Sequence, residues 1–336
     1  MVALAVLACA LALAAVAIAA RRHRRAGGPP VRSELLVVGT TVRTFLYTAP
    51  AALAPGAPLL IVFHGGSGTP GQIRRGTGFG FDALAAADGF AVAYPQGIGG
   101  NWNTCQKGRK NAATRQNVDD VGFTQSLIAW FAARYQIDRA RVFVAGFSNG
   151  GHMCFRLALE IPEHIAGCAA IAANRAAPAD SRCPPHNMLV PMMLINGTAD
   201  PINPYLGGEL SPYGLRKLGP VLSTLDTAAS FARPDAACHV TGARTHDSAR
   251  TWVEKRTWAS GAADDVVLFT IHGGGHTIPQ PHYRFSRLFG ATSIELDAPR
   301  EIWRFFCAVS RAGKQAPPPT NETEYAHAIE CRDQAL

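Results

Sequence analysis

Ser148 lies in "VFVAGFSNGGHM", between Gly146 and Gly150, where an apolar strand-like run gives way to a helix-like one. A serine hydroxyl is a poor nucleophile at neutral pH. It needs a general base within hydrogen-bond reach, an acid to fix the tautomer of that base, and donors aimed at the developing oxyanion. Gly-x-Ser-x-Gly alone is a weak signal in a chain with 33 glycines, so the partners decide. Asp200 closes "MMLINGTAD", just past an apolar run. Its competing role is a solvated loop aspartate capping the turn before Pro201. His276 follows "VVLFTIHGGG" in a glycine-rich loop that can carry an imidazole over the serine. His272, four residues earlier, still belongs to the strand end. The order serine, acid, histidine is one an α/β sheet can present.

The oxyanion donors are expected to be the backbone N–H of Asn149, at the start of the helix, and one N–H from "HGGSG", at Gly65 or Gly66. His64 is read as holding that loop by hydrogen bonds, outside the chemistry. The same loop lacks the Gly-Lys-Ser/Thr of a phosphate cradle, and no Gly-x-Gly-x-x-Gly leads a helix. A metal pair of His272 and His276 has only glycines between its members and no evident third ligand. No metal and no cofactor are expected.

These residues need elements to position them. "LLVVGTTVRTFLYTAP" reads as two short antiparallel edge strands. "APLLIVFHGGSG", "FAVAYPQG", "RVFVAGFS", "IAGCAAIAAN", "VPMMLINGTAD" and "DDVVLFTIHGGGH" read as buried strands. Between them lie helices: "FDALAAADG" closed by Gly89, "DDVGFTQSLIAWFAARYQ" capped by Asp119 or Asp120, "GGHMCFRLALEIP" stopped at Pro162, and "APREIWRFFCAVSR" near the end. Buried strands alternating with amphipathic helices predict an α/β fold, a mostly parallel sheet with helices on both faces. Its ligand site belongs at the C-terminal strand ends.

The composition agrees. At 336 residues, 48% hydrophobic and 17% charged, the chain can bury one large core. The formal charge is +8, but "RRHRR" at 21–25 supplies four positives, so the remainder is +4 (8 − 4). No basic cluster with interleaved aromatics occurs in the body of the chain, so nucleic acid is not an expected partner. Residues 1–20 are uninterrupted and apolar, a secretion signal or a membrane anchor. "AIA" at 17–19 is a candidate cleavage site; against cleavage, the basic cluster follows the apolar run instead of preceding it. The expected organisation is a signal or anchor over 1–25, a linker over 26–34, a catalytic domain over 35–312 and a Pro-rich extension over 313–336. Membrane attachment, if any, is through residues 1–20, and the location is secreted or otherwise extracytoplasmic. Apart from Cys9, seven cysteines remain, none in Cys-x-x-Cys spacing. They read as several disulfides of an exported domain or as buried thiols, with Cys331 offered as a partner for Cys307. The Asn-Glu-Thr at Asn321 reads as a chance sequon.

"LLIVFHGGSG", "FDALAAADGFAVAYPQGIGGNWN", "VDDVGF", "VFVAGFSNGGHM", "INGTADPINPY" and "FTIHGGGHT" occur in that order. Together they resemble the secreted polyhydroxybutyrate depolymerase/feruloyl esterase group of α/β-hydrolases, over about residues 35–310. The resemblance implies an α/β-hydrolase fold and a carboxylic-ester hydrolase with Ser148, Asp200 and His276 as its triad. It also places Trp102, Asn103 and Tyr205 on loops near the pocket, with loop packing as their alternative role. The chain departs from the group at Ile278, where relatives tend to carry tryptophan. It departs again near Phe231 and near Ala259, where a tryptophan and a cysteine are usual. The last change would leave Cys238 without its partner. Ile278 thereby marks the pocket as the place where this chain differs.

The expected activity is hydrolysis of 3-hydroxybutyrate oligomers or polyesters, or of feruloyl-type and short-chain esters, at neutral to alkaline pH where the imidazole is unprotonated. With no separate substrate-binding domain in view, small or oligomeric esters are favoured over insoluble polymer. The rival readings are a catalytically silent α/β-hydrolase used for binding, and a serine peptidase on the same fold.

Overall fold

The computed structural model describes residues 30–184, 188–242, 250–260 and 264–312. The N-terminal apolar segment, the linker up to residue 29 and the extension 313–336, with Asn321 and Cys331, lie outside the described residues. Among the described residues no helix is long and apolar enough to cross a membrane.

The described residues form twelve strands: β1 (Arg32–Val38), β2 (Thr41–Thr48), β3 (Leu59–Phe63), β4 (Ala91–Pro95), β5 (Val142–Phe147), β6 (Gly167–Ile171), β7 (Met192–Gly197), β8 (Gly208–Glu209), β9 (Pro220–Val221), β10 (Ala237–Gly242), β11 (Trp252–Ala259) and β12 (Asp264–His272). Ten of them form one sheet in the order β1-β2-β4-β3-β5-β6-β7-β12-β11-β10, and β8 pairs with β9 alone. From β4 to β12 the neighbours are parallel. Strands β3, β4, β6 and β7 are buried at every residue. That is what a parallel strand covered on both faces requires, and why these stretches read as unbroken apolar runs.

The helices are α1 (Pro70–Gly76), α2 (Gly80–Asp88), α3 (Ala112–Arg115), α4 (Asp120–Tyr135), α5 (Asn149–Glu160), α6 (Thr224–Ala229) and α7 (Ala298–Ala312). They cover two faces and make two cores. One joins Tyr47, Trp102, Phe131, Met153 and Trp258 under α4 and α5. The other joins Phe81, Phe90, Phe143, Trp303 and Phe306 under α2 and α7. Gly89 ends α2 in the left-handed region at φ 72°. At α4 the two aspartates divide their roles. Asp119 caps the helix by accepting from the Gly122 N–H at 2.7 Å. Asp120 forms a fully buried ion pair with Arg43 on β2, at 2.7 Å.

Three expectations are corrected. Arg32–Glu34 belong to β1 and not to a linker: they pair with Phe45–Tyr47, and Arg32 donates to the Tyr135 hydroxyl. Strands β10 and β11 extend the sheet antiparallel beyond β12, where no strand was expected. Strand β10 is mostly exposed and β11 mostly half-buried, so they lack the apolar run that marks a buried strand. Cys238 is disulfide-bonded despite the missing cysteine near Ala259. Both expected states occur among the other described cysteines. Cys105 and Cys183 form a disulfide, while Cys154 and Cys168 are buried thiols.

Candidate active site

The chain leaves β5 at Phe147 and enters α5 at Asn149, so Ser148 makes the whole turn. Its backbone sits at φ 52° and ψ −116°, a strained conformation for a non-glycine residue. Hydrogen bonds hold it from both sides: its N–H donates to Ile171 O at 2.8 Å, and its carbonyl accepts from the His152 N–H at 3.0 Å. The flanking glycines are sterically obligatory. A Cβ on Gly146 would lie 2.2 Å from Gly150 O, and one on Gly150 would lie 2.3 Å from Phe63 O. Ser148 is half-buried, and its hydroxyl makes no hydrogen bond among the described residues.

Asp200 and His276 come from the ends of neighbouring parallel strands, β7 and β12. His276 Nδ1 donates to Asp200 Oδ2 at 2.7 Å, and both side chains are almost wholly buried. Asp200 Oδ1 accepts from the N–H groups of Ile202 and Asn203, each at 2.8 Å. The carboxylate is therefore fixed, and it leaves His276 Nε2 as the ring atom without a proton. The two turns are sewn together: Ala199 N–H donates to Gly274 O, and Gly273 N–H to Thr198 Oγ1, both at 2.9 Å. His272 takes no part. It stacks on Trp252 with ring centroids 3.6 Å apart and faces Glu254 at 3.4 Å.

The "HGGSG" loop lies against the start of α5: a Cβ on Gly66 would be 3.8 Å from Asn149 Cβ. As the first helical residue, Asn149 has an N–H with no intrahelical acceptor. His64 holds the loop. Its Nε2 accepts from the Gly97 N–H at 3.0 Å, and its Nδ1 donates to Gly65 O at 2.8 Å. Burial pushes its pKa down to about 4, so it is neutral and fixed as the Nδ1–H tautomer.

The pocket candidates fare differently. Trp102 is fully buried behind the loop; its indole N–H donates to His64 O at 2.8 Å and its backbone N–H to Asn149 Oδ1 at 2.9 Å. Asn103 is buried too, donating to Asp120 and to Val118 O. Ile278 packs into the second core, close to Gly76. All three are buried, which for Trp102 and Asn103 is the loop-packing role that was their alternative. Tyr205 is half-buried, its hydroxyl 2.7 Å from Thr270 Oγ1. The reading missed Phe147, the residue before the serine. Its ring lies 5.0 Å from the His276 ring and 5.8 Å from Phe285, and its Cδ1 is 3.0 Å from where a Gly65 Cβ would be. The Phe289 ring lies 6.4 Å from the same imidazole. The aromatic residues of "HYRFSRLF" were the available signal.

Among the described residues one group has metal-ligand spacing, Cys105, Glu160 and Cys183. Its two cysteines are joined in a disulfide, so they offer no thiolate.

The family model for esterase PHB depolymerase matches residues 42–179. NocK of Nocardia uniformis subsp. tsuyamanensis, named as an esterase, is 31% identical over 280 residues, covering 78% of each chain. The chain belongs to this esterase family. Feruloyl esterase B of Piromyces equi is 28% identical over 226 residues, covering 66% of this chain; the chain spans 39% of that relative's length. The structure of an acetyl xylan esterase from Aspergillus awamori superposes with a TM-score of 0.54 at 15% identity, over 82% of this chain and 99% of that one. Family and fold together make the chain a carboxylic-ester hydrolase of the α/β-hydrolase fold.

Proposed function

We propose that the chain hydrolyses esters through a covalent acyl-serine formed on Ser148. His276 Nε2 takes the hydroxyl proton as Ser148 Oγ attacks the ester carbonyl. The oxyanion is held by the N–H of Asn149 and an N–H of Gly65 or Gly66. The alcohol leaves with the proton from Nε2, and water, deprotonated by the same nitrogen, releases the acid. Asp200 holds the tautomer and stabilises the imidazolium. The observation that carries this reading is the 2.7 Å hydrogen bond between buried Asp200 and His276, on the strand ends beside the strained Ser148 turn. Catalytic hydrogen bonds to a nucleophile commonly tighten only when substrate arrives.

The substrate class in this reading is a small or oligomeric carboxylic ester: a 3-hydroxybutyrate oligomer, a feruloyl-type ester or a short-chain ester. The described residues from Arg32 to Ala312 form its catalytic unit. The Cys105–Cys183 disulfide fits an extracytoplasmic setting. A fluorophosphonate probe tests the nucleophile. It is expected to label the wild type and not Ser148→Ala, with hydrolysis of 4-nitrophenyl butyrate lost in parallel. Folded wild type that takes no label would overturn the reading.

A further inference from the structure

Four polar side chains that take no part in the proposed chemistry are buried beside the turns that follow β6 and β7: Asn174, Asn196, Asn203 and Thr224. Asn196 lies on β7, four residues before Asp200. Its Oδ1 accepts from the Ala173 N–H at 3.1 Å, and its Nδ2 lies 2.8 Å from Asn174 Oδ1 and 3.0 Å from Thr224 Oγ1. The Thr224 hydroxyl donates to the same Asn174 oxygen at 3.0 Å. The Asn174 amide nitrogen donates to Pro204 O at 2.9 Å. Every side-chain polar atom of Asn174, Asn196 and Thr224 is thus bonded, the condition under which a buried amide cluster holds one geometry.

Asn174 is where this cluster meets the segments that carry the acid and the nucleophile. Its backbone N–H donates to Asn203 Oδ1 at 3.1 Å, and the Asn203 N–H donates to Asp200 Oδ1 at 2.8 Å. With the Asn174 amide on Pro204 O, two bonds from one residue hold the loop that follows Asp200. The backbone of Asn174 also hydrogen-bonds the His152 ring, and the His152 N–H donates to Ser148 O at 3.0 Å. Asn174 therefore reaches Asp200 through one residue and Ser148 through another. Among the described residues it bonds to neither directly.

The backbone around Asn174 is closely constrained as well. The chain leaves β6 at Ile171, and Ala172 adopts φ 51°, a left-handed conformation uncommon for a residue with a side chain. The Ala172 N–H donates to Ile195 O at 2.9 Å. The next residue abuts α5: a Cβ on Gly151 would lie 2.7 Å from Ala173 Cβ. Strain of this kind persists only where the surroundings over-determine it. An apolar side chain at this position would avoid the cost of burying an amide. What the amide adds is direction, toward Asn196 on one side and Pro204 on the other.

We propose that Asn174 is a positioning residue for ester hydrolysis: it holds the Asp200 loop against the helix that follows Ser148, so that Asp200 Oδ2 stays in line with His276 Nδ1. The inference rests on the Ser148, Asp200 and His276 reading for its effect on rate. For its effect on geometry it rests only on the hydrogen bond between Asp200 and His276.

Asn174→Ala removes the bonds to Asn196, Thr224 and Pro204 while keeping the backbone N–H. Its kcat on 4-nitrophenyl butyrate is expected to fall roughly 10- to 100-fold, as for a displacement of up to about 1 Å, with KM within about twofold of the wild type. Two readouts separate positioning from a general loss of stability. The first is the downfield proton NMR signal of His276 Nδ1–H, assigned as the one that Asp200→Asn abolishes. It should broaden or move in Asn174→Ala at a temperature where the variant is folded. The second is the double variant. On top of Asp200→Asn, Asn174→Ala should cost less than about twofold, because the bond it protects is already gone. Wild-type kcat in Asn174→Ala, an unchanged signal, or a full further loss in the double variant each overturn the proposal. If Asn174→Ala does not fold, Thr224→Val and Thr224→Ser decide. Valine keeps the shape and removes the hydroxyl between the two amides, so kcat should fall and the signal should move. Serine keeps the hydroxyl and should restore both. Equal kcat for the two Thr224 variants overturns the proposal. The esterase reading fails separately, if folded wild type neither takes the fluorophosphonate label nor hydrolyses the ester. The NMR signal is then read without turnover and still decides whether Asn174 holds Asp200 on His276.

Discussion

At the scale of single residues, Asp200 offers the sharpest test, because its two oxygens have separate jobs. Oδ1 receives two backbone N–H groups and Oδ2 receives His276 Nδ1–H. In Asp200→Asn the amide oxygen keeps the backbone pair, so the NH2 must face His276. Nδ1 then has to accept, the proton moves to Nε2, and the base is in the wrong tautomer for Ser148. We expect kcat to fall by roughly 10³- to 10⁴-fold with KM and thermal stability little changed. Steady-state kinetics on 4-nitrophenyl butyrate, with a melting curve alongside, checks this. A loss under tenfold would remove Asp200 from its assigned role. Candidates such as Asp200 and His276 are legible in the sequence because each closes a buried strand, which puts it at one sheet edge whatever the loops do. Trp102, Asn103 and Ile278 were not placeable in that way. Whether a loop side chain points to the cavity or the core is set by contacts distant in sequence, such as Trp102 to His64 O and Asn103 to Asp120.

At the scale of elements, Asp200 and His276, the proposed acid and base, are held together by the close approach of two backbones. A Cβ on Gly197, the last residue of β7, would lie 2.2 Å from Gly274 O and 2.5 Å from Gly274 C. Both are backbone atoms, so Gly197→Ala must push the turn after β12 away from the turn after β7. The hydrogen bonds from Ala199 to Gly274 O and from Gly273 to Thr198 lengthen, and His276 moves relative to Asp200. A displacement of about 1 Å costs on the order of 10²-fold in rate. Gly71→Ala, where nothing lies within 4 Å of the added methyl, serves as the matched control and should leave activity unchanged. Equal activity of the two variants would show that the two turns tolerate separation. Central strands were legible because burial on both faces leaves an unbroken apolar run. Strands β10 and β11 were not. In β11 Glu254 and Lys255 sit half-buried among apolar neighbours, and only Arg256 and Trp258 are fully covered. Helix α1 was missed for a related reason: "PGQIRRG" has one large apolar residue, and its helical start rests on Thr69 as cap and Pro70 at the first turn.

At the scale of the whole molecule, the loop that lies against the start of α5 hangs on a histidine that must stay neutral. His64 joins the turn after β3 to the turn after β4, accepting from Gly97 and donating to Gly65 O. Burial lowers its pKa to about 4, against about 6.5 in an unfolded chain. The unfolded state therefore binds a proton that the folded state refuses. The contribution is whole above pH 6.5 and is lost as pH falls toward 4, amounting to about 3 kcal/mol at full effect. His152, buried and held well below its usual range, acts in the same direction. Asp120 and Asp180, whose carboxyls burial raises, titrate with the opposite sign, so the difference between proteins is more telling than the raw slope. Urea unfolding at pH 7.0, 5.5 and 4.5 should show the wild type weakening toward acid by about 1 kcal/mol per pH unit more than His64→Gln, which keeps an acceptor for Gly97 but cannot take up the proton. Parallel slopes for the two proteins would mean that His64 is protonated in the folded state without cost, and that the loop is held by something other than its neutral ring. If the slopes diverge, esterase activity should decline across the same window in the wild type and recover on return to pH 7, because the protonated ring can no longer accept from Gly97, and Gly65 and Gly66, the proposed oxyanion donors, lose their fixed position against the start of α5.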